Sequence, residues 1–256
     1  MAYPIGDMSW KLFENIVGQL PSSTVIVPFF RGESLLHPRF TDAMEKLSKF
    51  NEVQLATNGD FLKNPYSEII DNCSFISLSL HNFETPCHDK FFLAAKKRGV
   101  TTQVSILEML IPQGKKQAFV DAWLGHVDRV RVYVEHSKRG FGDVSLLNVP
   151  YIEEEDLPFN FTAKPFHLAP CQKPFEDMVV YWDGMAGLCN HDWNNGTYLG
   201  NLNTQSIREV WQGIQYKTVR KLHSNGKRCF VESCRNCDYW MTSYLPNKMF
   251  GELYTN

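Results

Sequence analysis

The chain has 256 residues, 43% of them apolar, with 26 basic and 28 acidic side chains and a net charge of -2. That length can bury a substantial core in one large or two smaller domains, and so even a charge balance gives no electrostatic footprint for a nucleic acid or an anionic membrane. The opening MAYPIGDMSWKLF lacks the basic-then-apolar order of a signal peptide, and no run approaches the ~18 apolar residues of a membrane helix, so a cytoplasmic chain is expected.

The elements follow in order. Ser9 to Leu20 sets Trp10, Phe13, Ile16, Val17 and Leu20 on one helical stripe. Thr24 to Phe30 (TVIVPFF) reads as a buried strand, Phe40 to Phe50 as a helix, and Glu52 to Ala56 as a second strand that Asn58-Gly59 stops. Phe75 to Leu80 is a third strand, His88 to Arg98 a helix, Thr101 to Leu107 a fourth strand, Lys115 to Leu124 a helix, and Val127 to Glu135 a fifth strand. Such alternation implies right-handed βαβ crossovers and a parallel sheet or barrel, with functional groups at the C-terminal strand ends.

From Ser137 to Pro170 the pattern dissolves into glycines, prolines and an acidic run, Glu153 to Asp156, as in a linker or an extended wrap. A hairpin follows, Met178 to Trp182 and Ala186 to Cys189 about Asp183-Gly184, then a helix from Ser206 to Gln215. Five of the seven cysteines fall between Cys171 and Cys237: Cys171, twelve residues, Gly184, four residues, Cys189, then Cys229, Cys234 and Cys237. In a chain without a secretory signal this spacing favours reduced thiols and metal ligation over a disulfide framework. Thiolates from two separated segments can supply the four ligands of a structural zinc or of an iron-sulfur cluster.

The first strand runs into Phe30-Arg31-Gly32-Glu33-Ser34-Leu35-Leu36-His37-Pro38, the second into Thr57-Asn58-Gly59, and the third carries Ser77 and Ser79 before His81. In order, spacing and βα context these segments resemble the radical S-adenosylmethionine (radical SAM) superfamily, whose second barrel strand ends in a Gly-Gly-Glu-Pro-type motif. Gly32-Glu33 matches its core, and Ser34 stands where the family has proline. The C-terminal cysteines, with Leu199-Gly200-Asn201, Ile207 and Trp211, resemble the SPASM or twitch extension, which houses auxiliary 4Fe-4S clusters.

The resemblance implies an α/β fold: a partial (β/α)6-type barrel over 1–136, a linker over 137–165, a small cysteine-rich SPASM/twitch domain over 166–245 and a tail over 246–256. It implies SAM contacts by Gly32, Glu33, Ser34, Asn58, Ser79 and Ser105, with Glu108 just past the fourth strand. A glycine admits close backbone approach, and the Glu33 carboxylate can accept hydrogen bonds from an α-ammonium group. A solvated glutamate in a strand-to-helix turn, and plain turn chemistry at Asn58, are the competing readings. His37 reads as a helix-start or packing residue. Cys171, Cys189, Cys234 and Cys237 form the expected ligand set. Their Cys-x2-Cys pair chelates from one turn, and Cys229 is a fifth candidate. Four-thiolate zinc competes with 4Fe-4S on spacing alone; beside the barrel motifs, one auxiliary 4Fe-4S cluster is expected.

One departure matters. The family's Cys-x3-Cys-x2-Cys, which binds the SAM-cleaving 4Fe-4S cluster, does not occur, since the first cysteine is Cys73 and thirteen residues separate it from Cys87. The expectation is a chain lacking its N-terminal segment. The full-length form would then cleave SAM to a 5'-deoxyadenosyl radical and abstract hydrogen from a peptide or small-molecule substrate, with a flavodoxin or ferredoxin as electron donor, and the chain alone would be inactive. The alternatives are a cluster-less binding or scaffold homologue and an electron-transfer protein using only the C-terminal cluster. His191-Asp192 and Glu153 to Asp156 read as solvated loop residues, the C-terminal tryptophans as packing around the cluster, and Cys73 and Cys87 as ordinary thiols.

Overall fold

The computed structural model describes residues 4–62, 66–83, 88–134, 169–192, 196–235, 237, 239–240 and 251–255. By contacts the chain separates into two compact units, Pro21–Glu135 with Asn247–Asn256 and Met1–Leu20 with His136–Pro246. Both ends of the chain therefore group differently from the division expected at residue 136. The linker expected at 137–165 and the acidic run Glu153 to Asp156 lie outside the described residues.

The first unit is a mixed α/β sheet. Its elements alternate as the sequence predicts, with one short helix added between the second and third strands: β1 (Val25–Ile26), α2 (Phe40–Ser48), β2 (Glu52–Thr57), the unpredicted α3 (Ser67–Ile70), β3 (Phe75–Ser79), α4 (Asp89–Lys97), β4 (Thr101–Leu107), α5 (Lys116–Leu124) and β5 (Arg129–Tyr133), α1 being the N-terminal helix of the other unit. Neighbouring strands from β1 to β5 pair in parallel, in chain order. A sixth strand, β9 (Gly251–Thr255), pairs antiparallel with β5, so part of the expected tail belongs to the sheet. Five residues with no strong alternation gave no local sign of that pairing, which β5 supplies from 124 positions away where Val130 pairs with Tyr254. The first strand is shorter than predicted because it pairs on one side only and Pro28, just beyond it, has no N–H to give a ladder.

Strand alternation sorts side chains onto two faces. Ile76, Leu78, Val104, Ile106, Val130 and Val132 are essentially buried in the core with Phe91, Phe92, Phe119 and Trp123 of α4 and α5. Ser77, Ser79, Gln103, Ser105, Arg129 and Arg131 alternate with those residues and share the other face, where parallel register sets Ser77 beside Gln103 and Ser79 beside Ser105. An apolar back and a polar front are what an enclosing sheet with a binding face requires.

The second unit is built on a three-stranded antiparallel sheet, β6 (Val179–Val180), β7 (Met185–Gly187) and β8 (Gly200–Asn201), with α1 (Trp10–Val17), α6 (Lys173–Glu176), α7 (Ile207–Trp211) and α8 (Ile214–Ser224). Gly184 turns the β6–β7 hairpin at φ +87°, and a Cβ there would stand 2.4 Å from Asn203 Nδ2, so both backbone and space demand glycine. The helix predicted as one from Ser206 to Gln215 is two. Ser206 and Glu209 exchange capping hydrogen bonds at the start of α7, whereas Gly213, in extended backbone, ends it and starts α8. Arg220 of α8 ties the pieces, donating to the Pro174 and Trp211 carbonyls at 2.8 Å and lying 4.0 Å over the Trp211 ring.

Among the described residues no helix is long and apolar enough to cross a membrane.

Candidate functional site

Four cysteines meet in the second unit. Cys171 lies just before α6, Cys189 just past β7, and Cys234 and Cys237 in consecutive turns near the C-terminal end of that unit. The Cys237 N–H donates to the Cys234 carbonyl at 3.2 Å, which closes the Cys-x2-Cys segment so that one turn presents two thiols. All four line one cavity with Lys173, Pro174, Leu188, His223, Arg228 and Trp240. Cys229 is exposed and is not among the lining residues.

The donor set can be tested for fit. Burial pushes the Cys171 thiol up to about 11 and the Cys189 thiol up to about 12, with repulsion from the other gathered thiolates adding to both. Cys234 is driven up by burial first and then by Cys189, Cys237 and Cys171. Thiolates crowded into a dry pocket need a positive centre between them to stay ionised. The pocket is otherwise suited to sulfur anions: the His191 N–H donates to Cys189 Sγ at 3.4 Å, and Lys173 and Arg228 supply positive charge. A tetrahedral zinc at ~2.3 Å from each sulfur would draw its ligands to roughly 3.8 Å of one another. Among the described residues no three His, Cys, Asp or Glu side chains are grouped as a single-ion site.

Around this pocket the sequence reading of Asp192 needs correction. Asp192 is 4% exposed, not solvated, and its carboxylate accepts the Gly196 and Thr197 N–H groups at 2.8 and 3.2 Å. Thr197 Oγ1 and Ser233 Oγ then meet at 2.8 Å, which ties the loop after Cys189 to the loop of the last cysteines. His191 stacks on Tyr239 with ring centres 3.5 Å apart. Asp192 therefore builds the scaffold of the pocket, and no charge pattern marks it because its partners are backbone amides.

Two further residues were missed. His223 is fully buried and lines the cavity; burial and then the nearby Arg228 cation push it down to about 4, so its ring is neutral near pH 7. Arg228 lies 4.1 Å over the Trp240 ring. A helix read as ending at Gln215 hides His223. The stripe Tyr216, Val219, His223 at steps of three and four, continued past that point, is the signal that would have found it.

In the sheet unit the SAM candidates fall at or near C-terminal strand ends. Gly32 has φ +84° with open space on its Cβ side, and Glu33 follows it. The Glu33 carboxylate accepts the Leu35 N–H at 3.1 Å and the Asn58 N–H at 2.9 Å, so it clamps the loop after β1 to the loop after β2. Ser34 Oγ donates to the Pro28 carbonyl at 2.6 Å, restoring a local constraint where the family pattern has proline. Asn58 closes its own turn by accepting the Asp60 N–H at 3.1 Å. Ser79 Oγ and Ser105 Oγ meet at 3.4 Å on the polar face, with Ser77 alongside. Glu108 is engaged by Lys116 at 2.6 Å, which also reaches Glu252 of β9. His37 Nδ1 accepts the Arg39 N–H at the start of α2, a helix-start role.

Cys87 lies outside the described residues. Cys73 packs against the sheet core, and burial pushes its thiol up to about 12. At pH 8 that thiol stays protonated and unreactive while exposed Cys229 does not share its protection. Iodoacetamide on the folded protein is expected to modify Cys229 and spare Cys73, as read by peptide mass mapping; equal labelling would contradict the packing.

A model of the iron-sulfur cluster-binding SPASM domain matches residues 171–238, the segment that carries all the pocket cysteines. The chain is 25% identical over 154 residues to the S-adenosyl-L-methionine-dependent 2-deoxy-scyllo-inosamine dehydrogenase of Niallia circulans, a match that spans 57% of each chain. Among solved structures it is similar in fold to BtrN in complex with AdoMet and 2-DOIA, with a TM-score of 0.58, 22% identity, and coverage of 93% of this chain and 82% of that one. It is likewise similar to SuiB of Streptococcus suis bound to S-adenosylmethionine, with a TM-score of 0.60, 14% identity, and coverage of 94% and 68%.

Proposed function

We propose that this chain is a radical SAM enzyme with a SPASM iron-sulfur domain and that it acts as a SAM-dependent dehydrogenase of a small polyhydroxylated or amino-alcohol substrate, a reading supported by the domain match and the curated relative. The observation that carries the reading is the convergence of Cys171, Cys189, Cys234 and Cys237 on one cavity. The match of the iron-sulfur cluster-binding domain model to the same segment supports a 4Fe-4S cluster over a single zinc.

In this reading SAM and the iron-sulfur clusters, when bound, would supply radical hydrogen abstraction and a one-electron acceptor, the chemistry that oxidises a secondary alcohol to a ketone, with a flavodoxin- or ferredoxin-class protein as the external electron donor. The residues of this chain bind and orient. Gly32 leaves room for close approach, Glu33 holds the two loops of the SAM edge together, and Asn58, Ser79 and Ser105 offer amide and hydroxyl groups. The polar face with Ser77, Gln103, Arg129 and Arg131 favours a hydrophilic small molecule over an apolar one. The named relative acts on such a compound.

No Cys-x3-Cys-x2-Cys, the ligand set of the SAM-cleaving cluster in the family that the chain resembles, occurs among these 256 residues. The test is anaerobic incubation of the product of the whole reading frame with SAM, dithionite and 2-deoxy-scyllo-inosamine. Formation of 5'-deoxyadenosine with an equal amount of ketone is expected. 5'-Deoxyadenosine without ketone would keep the SAM chemistry and discard this substrate class. No SAM cleavage by an iron-loaded protein would favour the electron-transfer reading, and iron-free protein the scaffold reading.

A further inference from the structure

We infer that His223 tunes the auxiliary cluster by donating an Nε2–H hydrogen bond to one of its sulfurs, a role that rests on the cluster reading above. The buried stripe of α8 carries the ring into the cavity lined by the four cysteines, where it is fully buried. Its Nδ1 accepts the backbone N–H of Cys171 at 3.2 Å, which fixes the tautomer, since a neutral imidazole that accepts at one nitrogen carries its proton on the other. Nε2 is buried with no hydrogen-bond partner among the described residues.

A buried donor left unpaired keeps its full desolvation penalty, so the site calls for an acceptor. Of the other polar side chains that share the cavity, Lys173, Arg228 and Trp240 are donors, Ser233 is joined to Thr197, and Tyr239 is stacked on His191. Sulfur is the acceptor that the rest of the pocket is built to hold. Arg228 repeats the arrangement, since its Nε is also buried and unpartnered among the described residues. Hydrogen bonds to cluster sulfurs stabilise the reduced, more negative form and raise the potential. The ring does two things at once: it anchors the loop of Cys171 through Nδ1 and withdraws charge from the cluster through Nε2. A cluster that must accept an electron needs the second.

The experiment is an EPR-monitored redox titration of the anaerobically reconstituted chain, with iron, sulfide and zinc measured on each sample. His223→Phe is expected to disfavour reduction by about tenfold, equal to ~59 mV for one electron, and His223→Gln, which keeps an N–H, to recover part of that shift. Should His223→Phe fail to assemble, the wild-type protein decides. With histidine labelled with nitrogen-15 in the imidazole ring alone, the reduced cluster should show a ring-nitrogen coupling and an exchangeable proton lost in D2O. An iron cluster with unchanged potential in His223→Phe, or one without the ring coupling, would overturn the tuning role and leave the cluster standing. Zinc in place of iron would overturn both.

Discussion

Replacing any one of Cys171, Cys189, Cys234 or Cys237 by alanine is expected to abolish assembly of the auxiliary cluster, while Cys229→Ala leaves it intact. The four come from three loops and share one cavity, so removing one sulfur leaves three thiols and an open coordination position. Burial works against the survivors: Cys171 and Cys189, pushed up to about 11 and 12, bind protons instead when the positive centre is lost. Metal-binding energy is also folding energy for a small unit of short strands and short helices. The cysteine-rich unit should therefore lose thermal stability along with its iron. The readout is iron and acid-labile sulfide per chain after anaerobic reconstitution, about four of each in the parent for a 4Fe-4S centre and below one in the four variants. Full loading of Cys234→Ala with loss in Cys229→Ala would exchange their roles.

Leu12→Ala is expected to destabilise the cysteine-rich unit by about 2–5 kcal/mol, the range for emptying a buried leucine site. Leu12 is 6% exposed and belongs to a core formed with Ala186, Leu188, Leu199, Leu202 and Tyr216. The helix that carries it is anchored at both ends. Ser9 Oγ caps the Leu12 N–H at 3.3 Å, Asn15 Nδ2 donates to the Leu202 carbonyl at 3.3 Å, and Gln19 Oε1 accepts the Ile207 N–H at 2.8 Å, which satisfies an orphan donor of α7. Truncation would leave a cavity against the hairpin turn, since a Cβ on Gly184 would stand only 3.1 Å from Leu12 Cδ2. Hydrogen exchange on the variant should show lost protection in β7 and α8 with β3 and β4 unchanged. Lost protection in β3 and β4 instead would assign the N-terminal helix to the sheet.

What the sequence by itself determined is what local patterns can carry. Alternation and stripe periodicity gave the β2 to β5 series with α4 and α5, β4 to the residue, because each strand and helix must bury one face and that need is written at fixed spacing; the four-residue α3 is too short to write such a stripe and was missed. Asp183-Gly184 gave the hairpin, since few residues other than glycine adopt φ +87°. The cysteine spacing gave the ligand candidates, because a thiol has few competing roles. Tertiary structure alone decided which partner each face meets. The predicted stripe of Trp10, Phe13, Ile16, Val17 and Leu20 marks an amphipathic helix but omits Leu12, the residue the helix buries most deeply, and it names no partner, which lies some 170 residues away in the hairpin core. β9 is a strand only because β5 offers it an edge. Asp192 and His223 acquire their places from backbone amides and from a cavity that exists only when three distant loops close around it. A sequence pattern records the need for burial or ligation; only the folded chain names the partner, because that choice is made between residues far apart in the chain.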